Sequence, residues 1–303
     1  MIFSRYKINE VEVISGENDH LIFEIVPAMG GKIISLYNKR LEKEFLWKNK
    51  YGSFEIRQRG TDYDSNFLGG IDELLPNDVP ETIDFIDYPD HGELWTSFLN
   101  HSLLDDQISV FGKLTLSGLH YRKTVRMDPD QPVIYLDYSI KNETDSSRHF
   151  LWKMHAALNI EAGDQLITKA AKAQVVDPAY SRFSMLEEFN WPLIENTDAS
   201  IVPGKNGGIY FFYLYETGTN EMSMIMDKGR NVFRYSYEKA VFPYQWYFAS
   251  FGGFPDHYTA ILEPCSSMPM QVNKAKQMNQ CTLLKPGESL HTSVNIYAGE
   301  NSF

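Results

Sequence analysis

Apolar side chains take every second position through residues 149–160, at Phe150, Trp152, Met154, Ala156, Leu158 and Ile160, and the positions between them include Lys153, His155 and Asn159. That period of two is the signature of a β-strand with one buried face. Lys153 and His155 therefore share the other face, which is either solvated surface or the wall of a polar cleft. The same alternation runs through residues 133–141, where Ile134, Leu136, Tyr138 and Ile140 interleave with Tyr135, Asp137 and Ser139. Residues 114–127 form a further strand, joined to it by the turn Met127-Asp128-Pro129-Asp130-Gln131-Pro132. Three successive antiparallel strands with one polar face need a second layer against their apolar side.

The rest of the chain reads as shorter extended runs. Residues 20–26 and 32–37 are strand-like around Ala28-Met29-Gly30-Gly31, whose glycines suit a sharp turn, and residues 39–46 form a short hairpin. A polar loop over residues 60–66 leads into FLGGIDELLPND, where Asp72 and Glu73 directly follow Gly69-Gly70. These acids fit the first turn of a short helix or a binding role. His91 lies in the loop-like stretch DYPDHGELWTS, and loops on a rigid sheet are where functional groups concentrate. Residues 177–197 suggest a loop packed by aromatics. Strands resume over residues 208–215, 221–226, 232–237, 242–246 and 257–263, and residues 288–297 close the fold. Pro264 lacks a backbone donor and is expected to end the ladder, leaving Glu263 at a strand end. With no helical pattern of three turns, no repeat and no composition break, residues 1–303 are expected to form one all-β antiparallel domain.

Composition narrows the partners. The net charge of −12 argues against nucleic acid, because phosphate binding needs clustered Lys and Arg. The first residues lack a secretory pattern and no later run approaches a membrane span, so a soluble, cytoplasmic protein is expected. Cys265 and Cys281 are then expected as free thiols. Aromatic residues make up 14% of the chain, which suits a strand-rich core and also sugar-binding surfaces.

Candidate proton-transfer groups are His91, His155, Glu263, Asp72 and Glu73. Zinc spacings and the sequence signatures of serine hydrolases, dinucleotide sites and phosphate loops are absent. What remains is a site with no metal and no cofactor, built from a carboxylate and one or two imidazoles, which suits proton transfer near neutral pH. Tyr244, Gln245 and Trp246 could form a stacking platform or pack in the core. Arg57 and Arg59 would share one face of a strand and could meet a phosphate, or simply sit on the surface.

The motifs AMGGKIISL, GGIDELLPN, DHGELW, WKMHAALNI and ILEPCSSMP, in this order across residues 20–300, resemble the galactose mutarotase (aldose 1-epimerase) family, particularly its shorter bacterial members. The resemblance implies a β-supersandwich with a sugar bound on a concave polar face. It also implies ring opening and reclosure between α and β anomers, with Glu263 as the base at the anomeric hydroxyl and His155 as the acid at the ring oxygen. His91 corresponds to the histidine that holds a sugar hydroxyl. With Asp72, Glu73, Lys153, Gln245 and Trp246 added from their positions, these residues make up the expected sugar site. The family's substrate-binding arginine has no counterpart here, since GGIDELLPN offers acids near its place. A sugar-phosphate epimerase and a non-catalytic carbohydrate-binding protein are the alternative expectations, and the assembly is expected to be a monomer or homodimer.

Overall fold

The computed structural model describes residues 1–302. Two large antiparallel sheets face each other. The central strands of the first run in the order Lys32–Asn38, Ile71–Leu74, Lys153–Leu158, Tyr258–Cys265, Tyr244–Phe251 and Ile209–Tyr215. The second is built around Asn231–Tyr237, Ser289–Glu300, Val133–Asn142 and Leu119–Met127. Between them lies one apolar cluster, to which the first sheet gives Met154, Ala156, Leu158 and Leu262 and the second gives Leu136, Ile140, Val294 and Ile296. Each such side chain, fully buried, contributes roughly 1.5–3 kcal/mol. The architecture is the expected all-β supersandwich.

The alternation through residues 149–160 survives, but the run is two strands rather than one. Arg148–Phe150 pairs with Thr282–Leu284, whereas Lys153–Leu158 joins the large sheet. Between them the Leu151 N–H donates to the Pro76 carbonyl and the Trp152 N–H to Ser266 Oγ, so the backbone passes from one ladder to another with its donors satisfied. Ile2–Ile8 and Val11–Glu17 form a hairpin that the pattern did not single out. Its outer strand is mostly exposed, so no buried face imposes a period on it.

Three local expectations are corrected. Asp72 and Glu73 lie in the strand Ile71–Leu74, not in a helix, because pairing with Lys153–Leu158 gives that backbone a ladder. The strand Tyr258–Cys265 runs through Pro264 and resumes pairing at Cys265. Residues 54–59 are not a strand, and Arg57 turns back to pair with Glu55 at 2.5 Å. No helix among the described residues is long and apolar enough to cross a membrane.

Candidate active site

Strand register builds the site. Lys153 pairs with Cys265 and Ala156 with Leu262, so His155 falls opposite Glu263 in the part of the ladder where no bridge forms. Pro264 brings no N–H to that stretch. On the outer sides His155 pairs with Asp72 and Glu263 with Trp246. Asp72, His155, Glu263 and Trp246 therefore form one row on the same face of four neighbouring strands. Residues directly opposite have Cβ atoms about 4.5–5.5 Å apart, which puts the imidazole and the carboxyl within reach of one small molecule.

A cavity of about 470 Å³ lies over that face, within the range of roughly 300–1,000 Å³ usual for small-molecule sites. His91, His155, Lys153, Asp78 and Glu263 supply polar wall, and Phe211, Phe248, Phe254 and Ile261 supply apolar wall. Asp62, Asp64, Asp90 and Asp177 also line it. No cluster of three or more His, Cys, Asp or Glu among the described residues is arranged to hold a metal ion.

The charges in this wall are buried and interdependent. Lys153 Nζ lies 2.7 Å from Asp78 Oδ1 and 2.6 Å from Glu263 Oε2, and 4.5 Å from the centre of a Trp246 ring. Neither of those two oxygens receives a hydrogen bond in good alignment. Burial raises the pKa of Glu263, and the Lys153 charge offsets only part of that. For Lys153 burial opposes the charge, but Asp78 and Glu263 outweigh it and hold the ammonium firmly protonated. His155 is pushed well below the ordinary imidazole range, first by burial and then by the charges of Lys153, His91 and Lys32. His91 goes the other way: burial disfavours its charge, but its 2.8 Å hydrogen bond to Asp90 and the nearby Asp78 carboxylate raise it.

His91 is held by its backbone. It sits at φ 56°, its N–H donates to the Asp78 carbonyl at 2.7 Å, and Gly92 follows at φ 72°. A Cβ on Gly92 would lie 2.3 Å from the Leu75 carbonyl oxygen, so only glycine fits that close approach. Non-glycine residues at positive φ are uncommon and cluster at functional sites.

Of the residues expected at the site, His91, Lys153, His155 and Glu263 line the cavity together. The others do not. Glu73 is the strand neighbour of Asp72, so it points to the opposite face, where it pairs with Lys123 between the sheets. Asp72 is on the correct face but one layer back, bound to Lys32 and Tyr63. Gln245 points into the inter-sheet layer and donates to the Glu221 carbonyl. Trp246 is sealed beneath Lys153 with its indole N–H on the Ser267 carbonyl, and is no exposed stacking platform. Sequence reasoning missed Asp78, Tyr63, Asp64 and His257. Asp78 closes the GGIDELLPND run and Tyr63 stands between acids in a polar loop; neither position carries a periodic signal.

An antiparallel two-sheet sandwich with an imidazole and a carboxyl facing one cavity on the outer side of a sheet is the class of molecule these observations define. No family model and no curated protein sequence matches the chain. Solved structures do. A proposed aldose 1-epimerase from Klebsiella pneumoniae superposes with a TM-score of 0.75 at 13% identity, over 96% of this chain and 80% of that one. A galactose mutarotase-like protein from Clostridium acetobutylicum gives 0.72 at 14% identity over 99% and 98%, and one from Lactobacillus casei gives 0.67 at 15% over 94% and 99%. The chain thus has the galactose mutarotase-like fold, and at these identities the likeness is one of fold.

Proposed function

We propose that the protein is an aldose 1-epimerase-like isomerase that interconverts the anomers of a free sugar, with His155 and Glu263 as its acid–base pair. The observation that carries this reading is their placement opposite each other, on adjacent strands, in the wall of one cavity. Ring opening needs one group to take the proton of the anomeric hydroxyl while another gives a proton to the ring oxygen as the C1–O5 bond breaks. Rotation about C1–C2 and the reverse transfers give the other anomer. Two groups whose surroundings move their pKa values toward each other, the carboxyl up and the imidazole down, can exchange one proton at little cost. His91 with Asp90, and Lys153 with Asp78, offer donors and acceptors to ring hydroxyls, while Phe248 and Phe254 can lie against the apolar faces of a pyranose.

The same wall disfavours a sugar phosphate. Asp62, Asp64, Asp78, Asp90, Asp177 and Glu263 all line the cavity, and Arg57 lies outside it, paired with Glu55. Polarimetry on fresh α-glucose and α-galactose, free and as 6-phosphates, tests the proposal. Catalytic equilibration of the free sugars, faster than of the phosphates, is expected. Rates equal to buffer across a broad panel of free aldoses would contradict it. Sugar-dependent thermal stabilisation without acceleration would instead make the protein a carbohydrate binder.

A further inference from the structure

The cavity floor changes character along the strand Tyr258–Cys265. Glu263, Ile261 and Thr259 alternate on its cavity face, and His257 directly precedes its first residue. Beside Ile261 the floor is apolar, because Phe248 pairs with Ile261 and Phe211 with Phe248 in the neighbouring strands. A strand rises about 3.3 Å per residue, so Thr259 lies roughly 13 Å from Glu263. The Phe67 ring neighbours the imidazoles at both ends, 5.4 Å from that of His155 and 6.2 Å from that of His257.

His257 is held by its backbone and not by its ring nitrogens. Its N–H donates to the Phe254 carbonyl at 2.9 Å, and its carbonyl accepts from the Gly252 N–H at 2.7 Å and from Ser250 Oγ at 2.9 Å. The ring packs 4.6 Å from a Trp47 ring and 6.3 Å from that of Phe254. The residue is only 8% exposed, yet neither ring nitrogen makes a hydrogen bond with the described residues, and neither is sealed off from the cavity that the ring lines. Burial lowers its pKa, and the Asp256 carboxylate offsets only part of that. The uncharged ring offers one N–H and one lone pair. A buried polar group without a partner calls for one, and a sugar hydroxyl, which both gives and accepts a hydrogen bond, fits either nitrogen.

We infer that His257 is a substrate-binding residue that takes a hydroxyl on the C3–C4 side of the pyranose, and so sets which epimers the site accepts. The inference rests on the isomerase reading of the site. That reading puts C1 and O5 at His155 and Glu263, and C3 and C4 stand across the ring from the bond between them. The ring then lies over Ile261 and Phe248, with its far edge directed along the strand toward Thr259 and His257. Glu263 is held by Lys153 at 2.6 Å, and Thr259 Oγ1 gives its proton to the Leu158 carbonyl at 2.9 Å. His257 keeps both of its polar atoms for a ligand.

Anomer exchange and equilibrium binding test this on the full-length protein, with glucose, galactose and their 3-deoxy and 4-deoxy derivatives as probes. His257→Phe keeps an aromatic ring beside Trp47, Phe67 and Phe254 and removes both polar atoms. His257→Gln keeps a donor and an acceptor and guards against a packing effect. In the wild type at least one deoxy sugar should bind more weakly than its parent by about fivefold or more, the worth of one hydrogen bond. In His257→Phe the parent sugar should lose a similar factor in KM and Kd, and the gap to that deoxy sugar should close. Its kcat should stay within about twofold of wild type, because the lost contact is shared by ground and transition states. His257→Gln should retain part of the gap. A gap unchanged in His257→Phe, or parent and deoxy sugars weakened alike, would overturn the inference and leave the isomerase reading in place. A gap that closes in a protein that binds these sugars without turning them over would support the His257 contact and count against that reading instead. Failure of all these sugars to bind would count against both.

Discussion

Two lysines are buried in this molecule beside glutamates, and their surroundings differ in a way that separates structure from chemistry. Lys123, between the sheets, sits 2.8 Å from both oxygens of Glu73 and 2.7 Å from the Gly31 carbonyl, and Tyr138 also donates to Glu73 at 2.7 Å. One ammonium meets one carboxylate, with every strong partner in place and no solvent contact. Lys153 faces the cavity and is shared by two carboxyl groups, 2.7 Å from Asp78 Oδ1 and 2.6 Å from Glu263 Oε2. Both clusters are buried, so burial does not tell them apart. Two carboxyl groups that share one ammonium in the wall of an open cavity can take a proton from, or give one to, something placed there, and a one-to-one pair sealed between the sheets cannot.

That contrast can be broken by substitution. The largest expected effect on stability is at the sealed pair: Glu73→Gln leaves Lys123 an uncompensated buried charge and should cost about 3–5 kcal/mol in a denaturant titration, with kcat per folded molecule nearly unchanged. A Lys123→Met, Glu73→Leu double variant should recover much of that loss. An equally large loss from the double variant would mean that the pair itself stabilises the fold.

The next effect is a pH dependence. His155 has its pKa lowered in the folded state, so in a window below the unfolded value of about 6.5 the unfolded chain binds a proton that the folded one does not. Its contribution is fully present above that value and is lost as pH falls toward the folded pKa. In wild type, stability should therefore fall with a slope of up to about 1.4 kcal/mol per pH unit from this group. His155→Gln should flatten that limb when urea unfolding is followed at a series of pH values; identical slopes would contradict burial of a neutral imidazole. The smallest effect marks the other end of the comparison. Lys7 and Glu10 pair at 3.0 Å on the surface with exposed side chains, and Lys7→Ala should change stability by less than about 1 kcal/mol.

The sequence disclosed Val133–Asn142, where one face is buried and the period of two is unbroken, and hid Ile2–Ile8, where no face is buried. The shared face of Lys153 and His155 followed from the period of two and holds in the structure. The period could not assign Asp72 and Glu73, because two adjacent acids after Gly-Gly suit a helix start as well as a strand. Only pairing with the His155 strand turns one toward the cavity layer and the other into the core. Gln245 failed for the same reason, since its neighbour Trp246 took the cavity-side face. Glu263 and His155 are far apart in the chain, and their pairing was suggested by the family resemblance; the antiparallel register is what brings them opposite each other. Tyr63 and Asp78 lie in loops whose course is set by tertiary contacts, so no local pattern pointed to them.

The most direct test is the rate of anomer exchange, measured by magnetisation transfer between the α and β signals of a free aldose, for wild type, Glu263→Gln, His155→Gln and the double variant. If the two side chains act as one acid–base unit, each single change should lower kcat by about 10²–10⁴-fold in a folded protein, and the double variant should be little worse than either single one. Full exchange in Glu263→Gln or His155→Gln, or losses that simply multiply in the double variant, would contradict the account.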